Sequence, residues 1–583
     1  MGRIKHSINE LAKMVEDKSI RLPEMQRGYV WKATKVRDFM DSLYRRYPVG
    51  SLLMWRPNAD EAGDIQTRDF DLDIKQDDVD KADNSNYLLL LDGQQRLTSL
   101  CKLLKGENVE VKGKGKKNKG IDIIFNLDHE EETEEQEIPD DNVIEAIAEA
   151  DDEPEEDDDD ELIDSKNRTF MVAGDPNFDN KKNWISLKKF FKSKDNLTFL
   201  MENGFQVDSS NMKEITKYND RLTKLRSVLD DEDVFDIVEL KKFSYEEVTK
   251  IFIRVNSAGT KLSGSDLALA QITARWRGAL KLFEQFQDVC DGKGWSISVG
   301  IIVRSLVAII THQSKFKTVS KITLKEFEDG WKETQHAITS ALEYMQDNLH
   351  VNNIWLLSSP YFVVQLAHYF SKKNFQLSPE ESKSLNRWFV LANSKGRYSR
   401  GSSEGMLDQD LRANTPDELL SNLQKQFGKL SIDYQDLEGK STTSGYFKTM
   451  FVAMKLAGAK DFIDQKIIDI NHTHIKDKIE FHHIIPKDLL QKAGYQKDER
   501  NDIANMAFIS KRTNLFISNK KPTQYIPELI EKCGTAMFEP HGIPLQQDLW
   551  ELDNYKNFLH ARRELIVKII NDYMESVSKS DDK

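Results

Sequence analysis

The apolar positions of this chain change period along its length. Residues 7–17 read as a short helix with Ser7 as its N-cap. The run IRLPEMQRGYVW that follows is broken by Pro23 and Gly28. In residues 33–46, Val36, Phe39, Met40 and Leu43 recur at helical spacing. SLLMW (Ser51–Trp55) reads as a buried strand after the turn at Pro48–Gly50, and YLLLLDG (Tyr87–Gly93) as another, running into the helix-like QQRLTSLCKLLKG. Strands alternating with helices predict an α/β or α+β domain. It resumes near Thr169 and runs to about Arg277, with FDIVELKKF and KIFIRVNS strand-like and SGSDLALAQITARW opening a helix that Ser263 or Ser265 can cap. From about 278 to 460 the period is mostly helical and breakers are sparse. No repeat occurs at solenoid periods.

Charge changes this picture in one place. The chain carries a formal −14, but 22 of its acidic residues, and no Lys or Arg, fall between Asp128 and Asp164. The remainder holds 83 basic against 75 acidic residues, a surplus of +8 that permits a phosphate-binding surface without requiring one. The acidic segment, about 128–165, has too few apolar residues to offset its ordering entropy and reads as a disordered insertion. Shielding of a basic groove is the alternative. KGKGKKNK before it is a solvated hairpin tip or a nucleic-acid contact. KGRYSRGSSEGMLDQDL (Lys395–Leu411) reads as a long solvated loop, with DNA or partner contact as its alternative.

At 583 residues the chain exceeds one core, and two to four domains are expected. No apolar run approaches the roughly eighteen residues of a membrane span, and the N-terminus lacks the apolar region of a secretory signal. Cys101, Cys290 and Cys533 are far apart and lack CxxC spacing, which fits a reducing cytoplasm and argues against a thiolate zinc site.

The densest chemistry lies in KIEFHHIIPKDLL and NDIANMAFISKRTNLFISNKKP, within roughly 470–525. His482 and His483 are neighbours on a predicted strand, so their side chains point to opposite faces unless the strand ends or bends near Pro486. Phosphodiester hydrolysis needs a base to activate water and a ligand to hold a divalent cation near the phosphate. Asn505 and Asn514 follow, the latter placed to begin or lie on a helix facing the histidines. Lys511, Arg512, Lys520 and Lys521 flank them as phosphate contacts or as a solvated face. A zinc site of His472, His474 and the histidine pair is a further arrangement, without cysteine support.

Upstream, MQRGYVW and LLLLDGQQRLTSL set polar motifs in apolar surroundings. A buried strand entering a helix through Asp92–Gly93 presents free N–H groups and a positive dipole end, an anion site with Arg96 one turn in. Asp92 can hold a cation or orient water, and Gln94 and Gln95 can bond a base, a phosphate or water. Tyr29 and Trp31 either stack on a base or belong to the core. No GxxxxGK[ST] occurs.

The pattern HHIIP, then NMAFIS, then an Asn nine positions on, resembles the HNH, or ββα-metal, nuclease family, in the branch found in modification-dependent restriction enzymes. The resemblance implies His482 as first metal ligand, His483 as general base, Asn505 as the loop residue that orients the base, and Asn514 as second metal ligand. A His in place of the commoner Asp suits Mn²⁺ or a softer ion more than Mg²⁺. PEMQRGYVW, YPVGSLLMW, LLLDGQQRLTSL and FIRVNSAGTKLSGSDLALAQI resemble the ParB/sulfiredoxin-like domain of GmrS-type proteins, over roughly residues 5–277. That resemblance implies a nucleotidase core of Asp92, Gln94, Gln95 and Arg96, with Gly93, Gln26 and Arg27 beside it and Asn256 and Gly259 lining the pocket.

Together these imply a multidomain α+β chain: residues 1–277 an NTPase and DNA-sensing domain, 278–460 a helical coupling region, and 461–583 an HNH nuclease domain. The order is that of a single-chain GmrSD-type, modification-dependent (type IV) restriction endonuclease. Expected cofactors are Mg²⁺ or Mn²⁺ and an NTP (GTP, ATP or UTP), and the expected partner is DNA, including modified phage DNA. One HNH site cuts one strand at a time, so a double-strand break needs a homodimer or two events. The alternatives are a non-catalytic DNA-binding regulator and an NTP-regulated RNase or toxin.

Overall fold

The computed structural model describes residues 2–24, 29, 31–58, 65, 67–68, 70, 87–111, 119–129, 168–174, 181–258, 264–399, 401–471 and 479–579. Most of the acidic insertion, the basic tract before it, Gln26, Arg27, Gly259, Ser263, His472 and His474 lie outside them. By internal contacts the chain divides into two compact units, Met1–Leu280 and Lys281–Lys583.

The first unit is built on a mixed sheet of β1 (Gly2–Ile4), β2 (Ile20–Pro23), β3 (Ser51–Arg56), β4 (Thr67–Arg68), β5 (Leu88–Asp92) and β11 (Asp236–Lys241), in the order β1-β11-β3-β5-β2-β4. The β11–β3 and β2–β5 pairs are parallel, and β3 meets β5 antiparallel with a register shift at Leu53/Met54. Two smaller antiparallel sheets accompany it: β6 (Val109–Val111) with β7 (Lys119–Ile121), and β8 (Ile123–Asn126) between β9 (Phe170–Val172) and β10 (Trp184–Ser186).

Both faces of the main sheet are covered, which is why LLLLD reads as an unbroken apolar run. Leu52, Met54, Leu88 and Leu90 face the core that holds α1 (Ile8–Glu16), α2 (Ala33–Tyr44) and α3 (Gln94–Lys105). Leu53, Trp55, Leu89 and Leu91 face the other core. Ser7 caps α1 in a capping box with Glu10, as expected.

The segment KIFIRVNS corrects the strand expectation: it lies in α4 (Tyr245–Ala258). Its β-branched residues favour a strand locally. Tyr245, Val248 and Phe252, however, recur at helical spacing and are buried against the second face of the sheet. Ser244 and Glu247 bond each other's backbone N–H and start the helix. Tertiary burial and a cap therefore override propensity. Helix α5 (Gly264–Thr273) follows.

The second unit is mostly helical. The elements that matter here are α6 (Pro379–Lys395), α7 (Ser403–Leu411), α8 (Pro416–Phe427), α9 (Gly445–Leu456) and the long α11 (Tyr555–Ser578), which packs against both α6 and α9. The described residues of the tract 395–411, expected as a solvated loop, are instead mostly buried or half-buried, with Ser399, Gly401 and Ser402 exposed. Arg397 is fully buried and grips Asp410 through Nε and Nη2, both at 2.9 Å, while the Tyr398 hydroxyl donates to the same carboxylate at 2.8 Å. Residues 403–411 are helical. The polar composition misleads because these groups satisfy one another rather than water. Among the described residues, no helix is long and apolar enough to cross a membrane.

Candidate functional site

Within the second unit, β12 (Ile479–His483) pairs antiparallel with β13 (Met506–Ser510), opposing His482 to Ala507 and His483 to Met506. Helix α10 (Lys511–Ile517) begins directly from β13, with the Ser510 side chain capping it at Thr513 N. This strand–strand–helix unit carries His482, His483, Lys511, Arg512 and Asn514; Asn505 lies just before β13, and Lys520 and Lys521 just after α10.

His482 and His483 make separate contacts, and His483 is the last residue of β12. His482 turns to α10, where its Nδ1 lies 2.7 Å from Asn514 Oδ1. Among the described residues its buried Nε2 has no hydrogen-bond partner. Burial draws this imidazole down to about 4, against the opposing Asn514 hydrogen bond, so the ring is neutral at pH 7. His483 ends the strand. Its Nε2 lies 3.1 Å from Asn501 Oδ1, and its pKa is lowered by burial and by Lys487 and Arg500 against the Asn501 bond.

Asn505 is fully buried and laces the chain just after His483. Its Oδ1 accepts from Ile485 N at 2.9 Å, and its Nδ2 donates to the Ile485 and Arg500 carbonyls. The C-terminal helix braces this loop. Arg562 donates to the Ala504 carbonyl and Arg563 to Asp502, whose side chain also accepts from Gly439 N and Ala504 N. Asp461 anchors α10 by accepting from Ser510 N and from the Thr513 hydroxyl.

Three participants were not singled out by the sequence pattern. Glu480 accepts from Asn514 Nδ2 at 2.6 Å. It sits two positions before His482, so the two-residue strand period could have placed it on the same face. Asn501 and Asp461 come from loops, where no local periodicity marks them. Of the flanking basic residues, Arg512 pairs with Asp464 and Lys520 with Glu528, whereas Lys511 and Lys521 are exposed. Among the described residues, no three His, Cys, Asp or Glu side chains gather as a metal site.

The second predicted constellation lies in the first unit, where β5 passes through Gly93 into α3. Gly93 has φ 95°, and a Cβ there would stand 2.1 Å from Leu52 Cδ2, so the turn admits only glycine without repacking. Arg96 folds back onto the junction, donating to Asp92 Oδ2 at 3.1 Å and to the Val49 carbonyl at 2.6 Å. Gly50 leaves room for it, since a Cβ there would lie 2.2 Å from Arg96 Nη1. Gln95 Oε1 accepts from Trp31 N. Thus Asp92 and Arg96 are brought together, Gln95 holds the Trp31 backbone, and Gln94 is partly exposed in the first turn of α3.

Tyr29 and Trp31 belong to the core. The Tyr29 hydroxyl meets Ser99 Oγ at 2.6 Å, and Trp31 packs edge-on against Phe39. The backbone of Asn256 lies in α4, and its side chain lies outside the described residues.

Residues 8–273, which carry this junction, match the family described as GmrSD restriction endonuclease, N-terminal domain. The chain is also similar to an uncharacterized protein of Methanocaldococcus jannaschii, 24% identical over 571 residues that span 90% of this chain and 86% of the relative.

Proposed function

We propose that this chain is a DNA endonuclease of anti-phage defence that hydrolyses phosphodiester bonds at its C-terminal HNH-type site and is governed by an NTP bound at the N-terminal Asp92–Arg96 junction. One observation carries the reading. A ββα unit presents His482 to Asn514 and holds His483 at the strand end on a separate partner. The similarity of residues 8–273 to a restriction endonuclease domain supports the context.

His482 would hold a divalent cation, Mg²⁺ or Mn²⁺, through Nε2; Asn514, expected as the second ligand, instead bonds Nδ1 on the other side of the ring and orients it. The neutral His482 ring and its unpartnered, buried Nε2 fit such a ligand. When bound, the cation neutralises charge on the scissile phosphate. His483 is the general base. Its Nε2–H donates to Asn501 Oδ1, which leaves Nδ1 to take the proton from water. Asn505 holds the backbone that follows it. Lys511 and Lys521 would contact phosphates. In the first unit, Arg96 and the N-terminal amides of α3 would face the nucleotide phosphates, with Asp92, Gln94 and Gln95 beside them.

The test incubates the protein with modified phage DNA, unmodified plasmid and RNA, with Mg²⁺ or Mn²⁺, with and without GTP, ATP and UTP. His483→Ala runs in parallel. Metal-dependent DNA cutting that vanishes in His483→Ala is expected. Equal cutting by the variant, cleavage of RNA alone, or DNA binding without cutting would each overturn the proposal.

A further inference from the structure

We infer that Glu480 is a positioning residue that sets the tautomer of His482 through the side-chain amide of Asn514. Its ground is a chain of two hydrogen bonds. Glu480 and His482 lie on the same face of β12, two positions apart, and Asn514 on α10 spans both. An amide has one donor end and one acceptor end. Asn514 Nδ2 lies 2.6 Å from Glu480 Oε2, so the NH₂ end is turned to the carboxylate. The carbonyl end must then face His482, and Oδ1 is 2.7 Å from Nδ1. An acceptor at that distance requires Nδ1 to carry the hydrogen. The lone pair of the neutral ring is thereby placed on Nε2, the nitrogen that has no hydrogen-bond partner among the described residues.

Were the amide reversed, Nδ2 would meet Nδ1 and Oδ1 would meet a carboxylate oxygen. Both contacts would then need a different proton arrangement. The carboxylate therefore selects the amide orientation, and the amide selects the tautomer. The use of that tautomer, a lone pair directed for a cation, rests on the nuclease reading above. The tautomer assignment itself does not.

The test uses the full chain, metal-free, labelled with ¹⁵N-histidine, with the His482 resonances assigned by loss in His482→Gln. Wild type is expected to show a protonated Nδ1 and an unprotonated Nε2. Glu480→Gln, whose Oε1 can still accept from Asn514, is expected to keep that pattern. Glu480→Ala is expected to show mixed tautomers. In parallel calorimetric titration with Mn²⁺, Glu480→Ala is expected to lose about tenfold or more in affinity, while Glu480→Gln stays close to wild type.

An unchanged tautomer in Glu480→Ala overturns the inference. So does equal loss of Mn²⁺ affinity in both variants, which would make the Glu480 carboxylate a direct ligand. Failure of the nuclease reading is seen separately, as undiminished cutting by His483→Ala, and leaves the metal-free spectra to judge Glu480.

Discussion

Asn514 Oδ1 lies 2.7 Å from His482 Nδ1, across 32 positions of sequence. The contact exists because β13 returns antiparallel to β12 and α10 starts at once from its end. Asp461 fixes that start through Ser510 N and the Thr513 hydroxyl, so the helix cannot rotate Asn514 away from the strand without breaking buried hydrogen bonds.

His483→Ala is expected to lower the DNA cutting rate by about 10²–10⁴, the usual range for loss of a general base, with an unchanged circular dichroism spectrum. Asn505→Ala should differ in kind. It strands the buried Ile485 N–H and so should lower both stability, by about 1–3 kcal/mol, and cutting. Denaturant titration alongside a plasmid assay separates the two behaviours. Identical stability of both variants would refute the structural role given to Asn505.

Arg96→Ala removes the partner of Asp92 and the donor to the Val49 carbonyl. NTP hydrolysis, measured as phosphate release, is expected to fall at least tenfold, and NTP control of cutting to disappear. Basal, nucleotide-free cutting should be retained. Unchanged phosphate release would remove the junction from the nucleotide site.

Breaking the Arg397–Asp410 pair leaves an uncompensated charge in the interior. Arg397→Ala and Asp410→Ala are each expected to cost about 3–5 kcal/mol in urea unfolding, and the double variant less than their sum. Additive losses would mean the two side chains act independently.

His541 is fully buried, and its Nε2–H donates to the Lys460 carbonyl. Burial lowers its pKa from the ordinary 6.5 to about 4, with the Lys460 bond opposing and Arg562 assisting. The unfolded chain therefore takes up the proton first as pH falls. The neutral ring's contribution is complete above about pH 6.5, declines below it, and is lost as pH passes about 4. His541→Gln, which can still donate to Lys460, should flatten the fall of unfolding midpoint between pH 6.5 and 4. An equally steep fall in the variant would place the acid sensitivity elsewhere.

Local chemistry made much of this protein legible from its residues alone. Ser7 announces α1, four adjacent leucines announce a strand covered on both faces, and Asp92–Gly93 announces the junction into α3. The spacing of His482, His483 and Asn514 pointed to residues that share one strand–strand–helix unit, with Asn505 in the turn that leads into β13. These signals act within a few residues, through caps, side-chain period and the left-handed conformation that Gly93 permits.

What only the tertiary structure decided depends on partners distant in sequence. It made a helix of KIFIRVNS, because Tyr245, Val248 and Phe252 found a sheet face to cover. It drew Arg397 inside, because Asp410 was there to neutralise it. It paired Arg512 with Asp464 and Lys520 with Glu528, residues whose sequence pattern offered them to phosphates. It also joined Glu480 to Asn514 and Asn501 to His483. Burial and hydrogen-bond partnership are properties of the folded arrangement, and no local pattern of residue types can specify them.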